Sequence, residues 1–459
     1  MTQKETLDIL KTGANVFLTG EPGSGKTHTI NSYIKYLREM KIKVAVTAST
    51  GIAATHIGGI TIHSWSGIGI KKHLSDFDID RIASTEYIAK KISKVAVLII
   101  EEVSMLDGRV LDSVDHVCRA VKQNDEPFGG MQVILIGDFF QLPPVSKSYE
   151  ESAEFAFASS AWESLQLLVC YLSEQHRQED QKFLQILTSL RQAMITNEHK
   201  EQLNERCVQH HATLKKDITH LYSHNEDVDR INQKRLDRIA GSNKCFPMKE
   251  TGKPALLQQI KRGCLSPEQL MLKEGAVVMF TKNNPKEKFA NGTLGVVTGW
   301  HKHTKCPVVT TKSGRRIITE QMEWTIEDNG RVLARVEQIP LRLAWAITVH
   351  KSQGVSLDAA VVDLRRAFEL GQGYVALSRV RTLKGLFLIG YNDKALQVHP
   401  EVLEQDINFR QLSVDTAHAF SNLDAEEIHK MHKNFIKAAD GKIPRKEDFR
   451  VSKLEASAA

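Results

Sequence analysis

The residues GEPGSGKT at positions 20–27 limit what this chain can fold into more than any other stretch. They satisfy the pattern GxxxxGK[ST] and follow the apolar run NVFLT. They also open a segment in which Ile30, Tyr33, Ile34 and Leu37 recur at helical spacing. A strand, a glycine-rich turn and a helix are therefore expected in succession. Such a turn lets backbone N–H groups wrap phosphates at the positive end of a helix. Gly23, Ser24 and Gly25 are expected to cradle the phosphates, Lys26 to reach the outer ones, and the Thr27 hydroxyl to ligate magnesium. ATP and Mg2+ are the expected cofactors. The competing reading, a glycine turn with a chance Lys-Thr, lacks a reason for the flanking strand and helix.

A loop of this kind needs a second strand that ends in an acid beside the magnesium, and VAVLII followed by Glu101 and Glu102 supplies one. The first acid is expected to hold the metal shell and the second, Glu102, to polarise the attacking water. An Asp is the usual residue at the first place, and Glu101 carries one methylene more. That displaces the carboxylate by roughly 1 Å from where an octahedral shell at about 2.0–2.1 Å would want it. An occupied but suboptimal metal site is the expectation.

Short apolar runs alternate with helix-period segments through the first half: NVFLT, KVAVTA, VAVLII and QVILIG each read as buried parallel strands of an α/β sheet. A second set, THLYS, VVMFT, AAVVDL and LFLIG, implies a second α/β layer, and two such layers can form a cleft. Between about residues 284 and 340 the pattern turns to hairpin-like pieces, NGTLGVVTGW and VVTTKSGRRIIT, which read as a small β-rich insertion. From about residue 396 the chain is helical and polar, with Ile428, Met431 and Phe435 as an amphipathic stripe closed by Gly441. At about 150 residues per domain, 459 residues suggest roughly three units.

Composition excludes more than it assigns. A net charge of +6, from 61 basic and 55 acidic residues, is compatible with a polyanionic partner without demanding one. Six scattered cysteines form no zinc-type spacing, and Cys207 with His210 and His211 reads as ordinary helix residues. The N-terminus lacks the apolar core of a signal peptide and no run is long enough to span a bilayer. A cytoplasmic protein, nucleoid-associated if bacterial, with no membrane partner, is expected.

The segment GDFFQLPPV at 137–145, downstream of the phosphate loop, resembles the superfamily 1B DNA helicases of the petite-integration-frequency (Pif-one-like) and RecD-like family. TASTGIAA at 47–54, GGITIHS at 58–64, LSEQHRQ at 172–178, WAITVHKSQGVSLD at 345–358 and GYVALSRV at 373–380 resemble that family's further motifs in the same order. The resemblance implies two RecA-like P-loop cores, with a short wedge insertion in the first and a small SH3-like β-barrel in the second. The implied bounds are 1–178 for the first core, with the wedge at about 66–94 beginning near Lys71-Lys72-His73. The second core takes 179–283 and 341–395, the barrel 284–340, and a helical extension 396–459. A lysine pair is more often a solvated loop than a strand separator.

Site roles follow the same resemblance, residue by residue. Gln141 matches the sensor of the terminal phosphate, and Arg177 and Arg379 match two arginines that reach the γ-phosphate across the cleft. Gln3 resembles the glutamine that reads the adenine edge, and Gly354 belongs to the nucleotide-facing set. Thr50, His63 and Ser64 in the first core, and Thr348, His350 and Lys351 in the second, resemble contacts to a strand backbone. Phe139 and Pro143 are expected to offer an apolar platform for a base, with the hydrophobic core as the competing place for Phe139 and a helix cap as that for His63. The implied activity is ATP-driven 5′-to-3′ movement on single-stranded DNA with unwinding of tailed or structured duplexes. A monomer in the absence of DNA, and roles in repair, recombination and telomere maintenance, go with it. An RNA helicase of the same superfamily and a non-translocating P-loop ATPase switch are the rivals, separable by DNA against RNA stimulation and by strand displacement.

Overall fold

The computed structural model describes residues 1–69, 74–144, 153–173, 180–208, 218–284, 286, 287, 289, 291–311, 313–328 and 331–443. The first half builds six parallel strands: β1 (Val16–Gly20), β2 (Val44–Ala48), β3 (Ile60–Thr61), β4 (Val97–Glu101), β5 (Gln132–Ile136) and β6 (Leu168–Leu172), in the order β3-β2-β4-β5-β1-β6. Every residue of β1, β4 and β5 is buried, as expected where helices cover both faces of a parallel sheet. Alternate residues serve opposite faces. Leu18, Ile99 and Ile134 meet Ile30, Tyr33, Ile34 and Leu37 of the helix Lys26–Glu39. Phe17, Leu98 and Leu135 enter the larger core on the other side. The phosphate loop, the acid pair and the GDFFQ segment each follow the carboxyl end of a strand, so one edge of this sheet carries all three.

The second parallel sheet has Thr219–Tyr222 at its centre, flanked by Ala346–Thr348 on one side and by Ala360–Leu364 and then Leu386–Tyr391 on the other. Three of the four expected strands take their places. The fourth, Val277–Phe280, is a correction: it pairs antiparallel with Leu294–Trp300 and with Leu341–Leu343 in a separate five-stranded sheet. A four-residue apolar run buried on both faces reads alike in either kind of sheet, and here the partners are the adjoining hairpin strands. A three-stranded antiparallel sheet of Lys249–Gly252, Arg331–Gln338 and Met322–Asp328 lies beside it in the chain.

Within the interval expected for the wedge, two short helices occur, Asp76–Ala83 and Glu86–Ser93, the first opened by a Ser75–Asp78 capping box. Lys71-Lys72-His73 lies outside the described residues, as do His210 and His211. The extension forms the helices Pro400–Ser421 and Ala425–Ala438. Its expected stripe is rotated. Met431 is exposed, while Ile436 is buried in the first core and Phe435 fills the space above Gly13, where a side chain would collide with its ring. The Gly441 N–H closes this helix on the Ile436 carbonyl at 2.8 Å. All six cysteines are free thiols, and among the described residues no helix is long and apolar enough to cross a membrane.

Candidate nucleotide cleft and strand-contacting surface

Gly25 starts the helix Lys26–Glu39 in the left-handed region, φ 94°, a conformation that glycine takes without penalty. The missing side chain also makes room for Gln3, whose amide packs on Gly25, donates to the Ser24 carbonyl at 3.4 Å and shares a hydrogen bond with His28 Nδ1 at 3.0 Å. The Lys26 ammonium donates to the Gly20 and Glu21 carbonyls at 2.7 and 3.1 Å. Ser24 Oγ is buried and finds no partner among the described residues. An orphaned hydroxyl inside a cradle of N–H groups is what a phosphate oxygen would satisfy.

At the end of β4, Glu101 Oε1 accepts from the Thr27 hydroxyl at 3.2 Å. Burial pushes the Glu101 carboxyl up to about 8, with the neighbouring Glu102 adding to the rise and Thr27 and Lys26 opposing it. Among the described residues no group of three or more His, Cys, Asp or Glu could hold a metal by itself. The adjacent hydroxyl and carboxylate of Thr27 and Glu101 are hard oxygen donors that could hold a magnesium ion together with phosphate oxygens and water. Glu102 departs from strand geometry with φ 55° and ψ 45°, a left-handed conformation costing a non-glycine residue about 1–2 kcal/mol. Ser49 Oγ holds it there by donating to the Glu102 carbonyl at 2.7 Å. Backbone outliers of this kind gather at functional sites.

Arg379 follows the helix Gln372–Leu377 of the second parallel-sheet unit and is 1% exposed. Its guanidinium donates to the Val375 carbonyl at 2.9 Å and to Ser378 Oγ at 2.8 Å. Burial raises the Glu102 carboxyl, and the positive charges of Lys26 and then Arg379 draw it back down. The two cations thus act on one carboxyl from the two parallel-sheet units. Gln141 is buried and donates to Asp138 Oδ2 at 3.2 Å. Arg177 lies outside the described residues. Thr27, Glu101, Glu102 and Gly354 line a common cavity of about 550 Å³, joined by Arg315 of the antiparallel unit and Arg381, which pairs with Asp358 at 3.2 Å. The sequence reading missed both arginines; Arg381 stands two residues after Arg379 and could have been flagged by that spacing.

The strand-contacting set divides. Thr50 accepts from the Ala53 N–H at 3.2 Å as the cap of the helix Gly51–His56. Ser64 is exposed and His63 half-buried, its imidazole held below the usual range by burial. Thr61, not His63, caps their helix. Thr61 also lines a second cavity, of about 340 Å³, with Lys282, Asn283 and Trp324. Pro143, His350 and Lys351 are half-buried. Two expectations need correction. Thr348 is 1% exposed and its hydroxyl accepts from the Lys351 N–H at 3.3 Å, so it shapes the turn. Phe139 is 4% exposed and packs among Phe17, Phe155, Phe157, Trp162 and Phe409, so it is core and not a base platform. The exposed aromatic beside His350 is Phe368, 47% exposed and stacked on His224 at 5.0 Å. Its lone ring in the polar stretch RRAFELG was the available signal.

Residues 3–201 match the family described as PIF1-like helicase. The chain is 40% identical to the ATP-dependent DNA helicase Pif1 of a Psychrobacter species, over 96% of this chain and 76% of that protein. Bacteroides Pif1 in complex with ADP-AlF4 is similar with a TM-score of 0.77 at 30% identity, covering 89% of this chain and 96% of that one. Bacteroides Pif1 with ADP-AlF3 and single-stranded DNA is similar with a TM-score of 0.63 at 30% identity, over 89% and 96% of the two chains. By this similarity along nearly its whole length, the chain belongs to the PIF1-like helicase family.

Proposed function

We infer that the chain is an ATP-dependent DNA helicase, and we propose that it moves 5′-to-3′ on single-stranded DNA and opens tailed or structured duplexes. The observation that carries this reading is that Lys26 and Arg379, which follow strands of two different sheets, both lie near enough to Glu102 for their charges to oppose the rise that burial gives its carboxyl. Lys26 leaves its loop carbonyls for the outer phosphates, Gln141 reports the terminal phosphate, and Arg379 and Arg177 offset the charge that develops there. Glu102, whose carboxyl burial raises above the usual carboxylate range, is the base that takes a proton from the attacking water. Bound magnesium supplies charge neutralisation on the phosphates. ATP draws the two cores together and hydrolysis lets them part. Thr50, His63 and Ser64 on one core, and His350 and Lys351 on the other, then grip the phosphodiester backbone in turn without reading its sequence.

The two parallel-sheet units serve as RecA-like cores, the antiparallel strands as a small barrel of SH3 type, and the helices between residues 66 and 94 as the wedge. The protein is taken to work as a monomer until DNA is bound. Unwinding of a 5′-tailed duplex set beside a 3′-tailed one tests motor activity and direction together. Opening of the 5′-tailed substrate alone is expected; opening of neither, or of the 3′-tailed one alone, defeats the reading. Lys26→Ala is expected to abolish turnover and leave strand binding in place.

A further inference from the structure

A buried cluster of charges joins the phosphate-sensing loop to the C-terminal extension. At its centre is Arg191, 1% exposed, the last residue of the helix Gln181–Arg191. One nitrogen, Nη1, donates to Asp138 Oδ1 at 2.7 Å and to the Tyr374 hydroxyl at 3.1 Å. The other, Nη2, donates to the Tyr171 hydroxyl at 2.8 Å and faces Asp406 at 3.5 Å. The guanidinium plane stacks on Phe140 with 4.0 Å to the ring centre. Asp138, fully buried, spends its second oxygen on the Gln141 amide at 3.2 Å. From the extension, Arg410 bonds Asp406 and the Tyr171 hydroxyl, both at 2.7 Å.

Two guanidiniums and two carboxylates thus balance, with Asp138 and Arg191 closed to water and Arg410 at the exposed edge, and the four charges come from three separate parts of the chain. The backbone repeats the connection. Gly371, which begins the helix leading to Arg379, adopts φ 80° and lies so close to the Phe140 and Gln141 carbonyls that a side chain there would stand 2.7 Å from both oxygens. The Asp138 carboxylate that fixes the Gln141 amide is in turn fixed by Arg191, whose other nitrogen, bonded to the Tyr171 hydroxyl, is drawn by the Asp406 charge at 3.5 Å. Buried charged networks of this kind are costly unless every member is paired, so loss of one member moves the others.

We propose that the C-terminal helix Pro400–Ser421 sets the rate of ATP turnover through Asp406, which holds Arg191 on Asp138 and thereby fixes the Gln141 amide in its sensing position. Asp406 and Arg191 are positioning residues. The inference rests on the reading of Gln141 as the phosphate sensor. It gives the extension a role in the motor that its polar, helical sequence does not announce.

The test is steady-state ATP hydrolysis by the full chain with saturating single-stranded DNA. Asp406→Asn removes the charge and little volume. Its kcat is expected to fall about threefold to thirtyfold with the KM for ATP within about twofold, the range found for residues coupled to a distant site. Asp406→Glu, which keeps the charge, is expected to recover most of the loss. Ser413→Ala lies on the same helix, where its hydroxyl accepts from the Tyr171 N–H at 3.0 Å, outside the charge cluster; its kcat is expected to stay unchanged. Combined with Gln141→Ala, Asp406→Asn is expected to add no further loss. An unchanged kcat in Asp406→Asn, or an equal loss in Ser413→Ala at an equal fall in Tm, overturns the proposal. Loss in Gln141→Ala with none in Asp406→Asn overturns this inference alone, whereas full turnover in Gln141→Ala overturns the sensor reading and this inference with it.

Discussion

Glu101 is the sharpest place to perturb the cleft. Two neighbouring ligands of an octahedral magnesium ion at about 2.1 Å stand about 3.0 Å apart. Glu101 Oε1 stands 3.2 Å from the Thr27 hydroxyl, a spacing at which its carboxylate would compete for a direct ligand place beside Thr27 were magnesium bound there. Magnesium gives up water reluctantly, and a carboxylate set back by one methylene would act through an ordered water instead. Protonation adds a second obstacle. With the carboxyl raised to about 8, about one molecule in ten is ionised there at pH 7, and a metal must displace the proton from the rest. Glu101→Asp is therefore expected to raise ATP turnover at limiting magnesium, with an upper bound of about 100-fold for a misplacement of this size.

A magnesium titration of strand-stimulated hydrolysis reads this directly, and the gain should shrink as magnesium saturates. Unchanged or reduced turnover of Glu101→Asp at limiting magnesium refutes the reasoning. The same titration has a pH arm. The magnesium needed for half-maximal rate in the unaltered protein should fall about tenfold from pH 7 to pH 9 as Glu101 ionises. The nucleotide-free protein should show the opposite trend in stability. A carboxyl whose folded value is raised binds a proton in the folded state that the unfolded state has already released. Stability is therefore lost as pH rises from about 4.5 to about 8 and is flat above. A pH-independent magnesium requirement would count against the buried, proton-holding state of Glu101.

Phe139→Ala should cost about 3–5 kcal/mol of stability in a denaturant titration, because it empties the centre of an aromatic core. Phe368→Ala should leave the denaturation midpoint in place and weaken single-stranded DNA binding by about 1–3 kcal/mol, as loss of a stacking face would; the reverse pattern would restore Phe139 as the platform. Gly25→Ala forces a side chain into φ 94° and into the Gln3 amide, so calorimetry should show loss of nucleotide affinity with strand affinity retained.

The first core was legible because its strands are buried on both faces and so appear as unbroken apolar runs, each ending at a residue with chemistry: Gly20, Glu101 and Gly137. Val277–Phe280 misled for the same reason, since unbroken burial is not confined to parallel sheets. Phe139 and Phe140 were indistinguishable in sequence, yet one joins Phe409 from the far end of the chain and the other lies under Arg191. Only long-range packing decides such a pair. The extension showed its helices plainly and hid its partners: a stripe read from Ile428 and Phe435 is uncertain by one residue's turn, and Ile436 took the place given to Met431. Charge networks such as Arg191–Asp138–Asp406 leave no trace in spacing, because their members are brought together by the fold alone.

The central claim is the proposal that one triphosphate is held from both walls of the cleft, with Arg379, whose charge acts on Glu102, assigned to the far wall. The most direct measurement is hydrolysis by Arg379→Ala with saturating single-stranded DNA, alongside ATP affinity measured in the same protein. Turnover is expected to fall about 10³-fold or more while ATP still binds, since a guanidinium acting on transition-state charge is worth that much. Turnover within a few-fold of the unaltered protein would mean that the far wall does not reach the phosphate, and the account of the motor would fail.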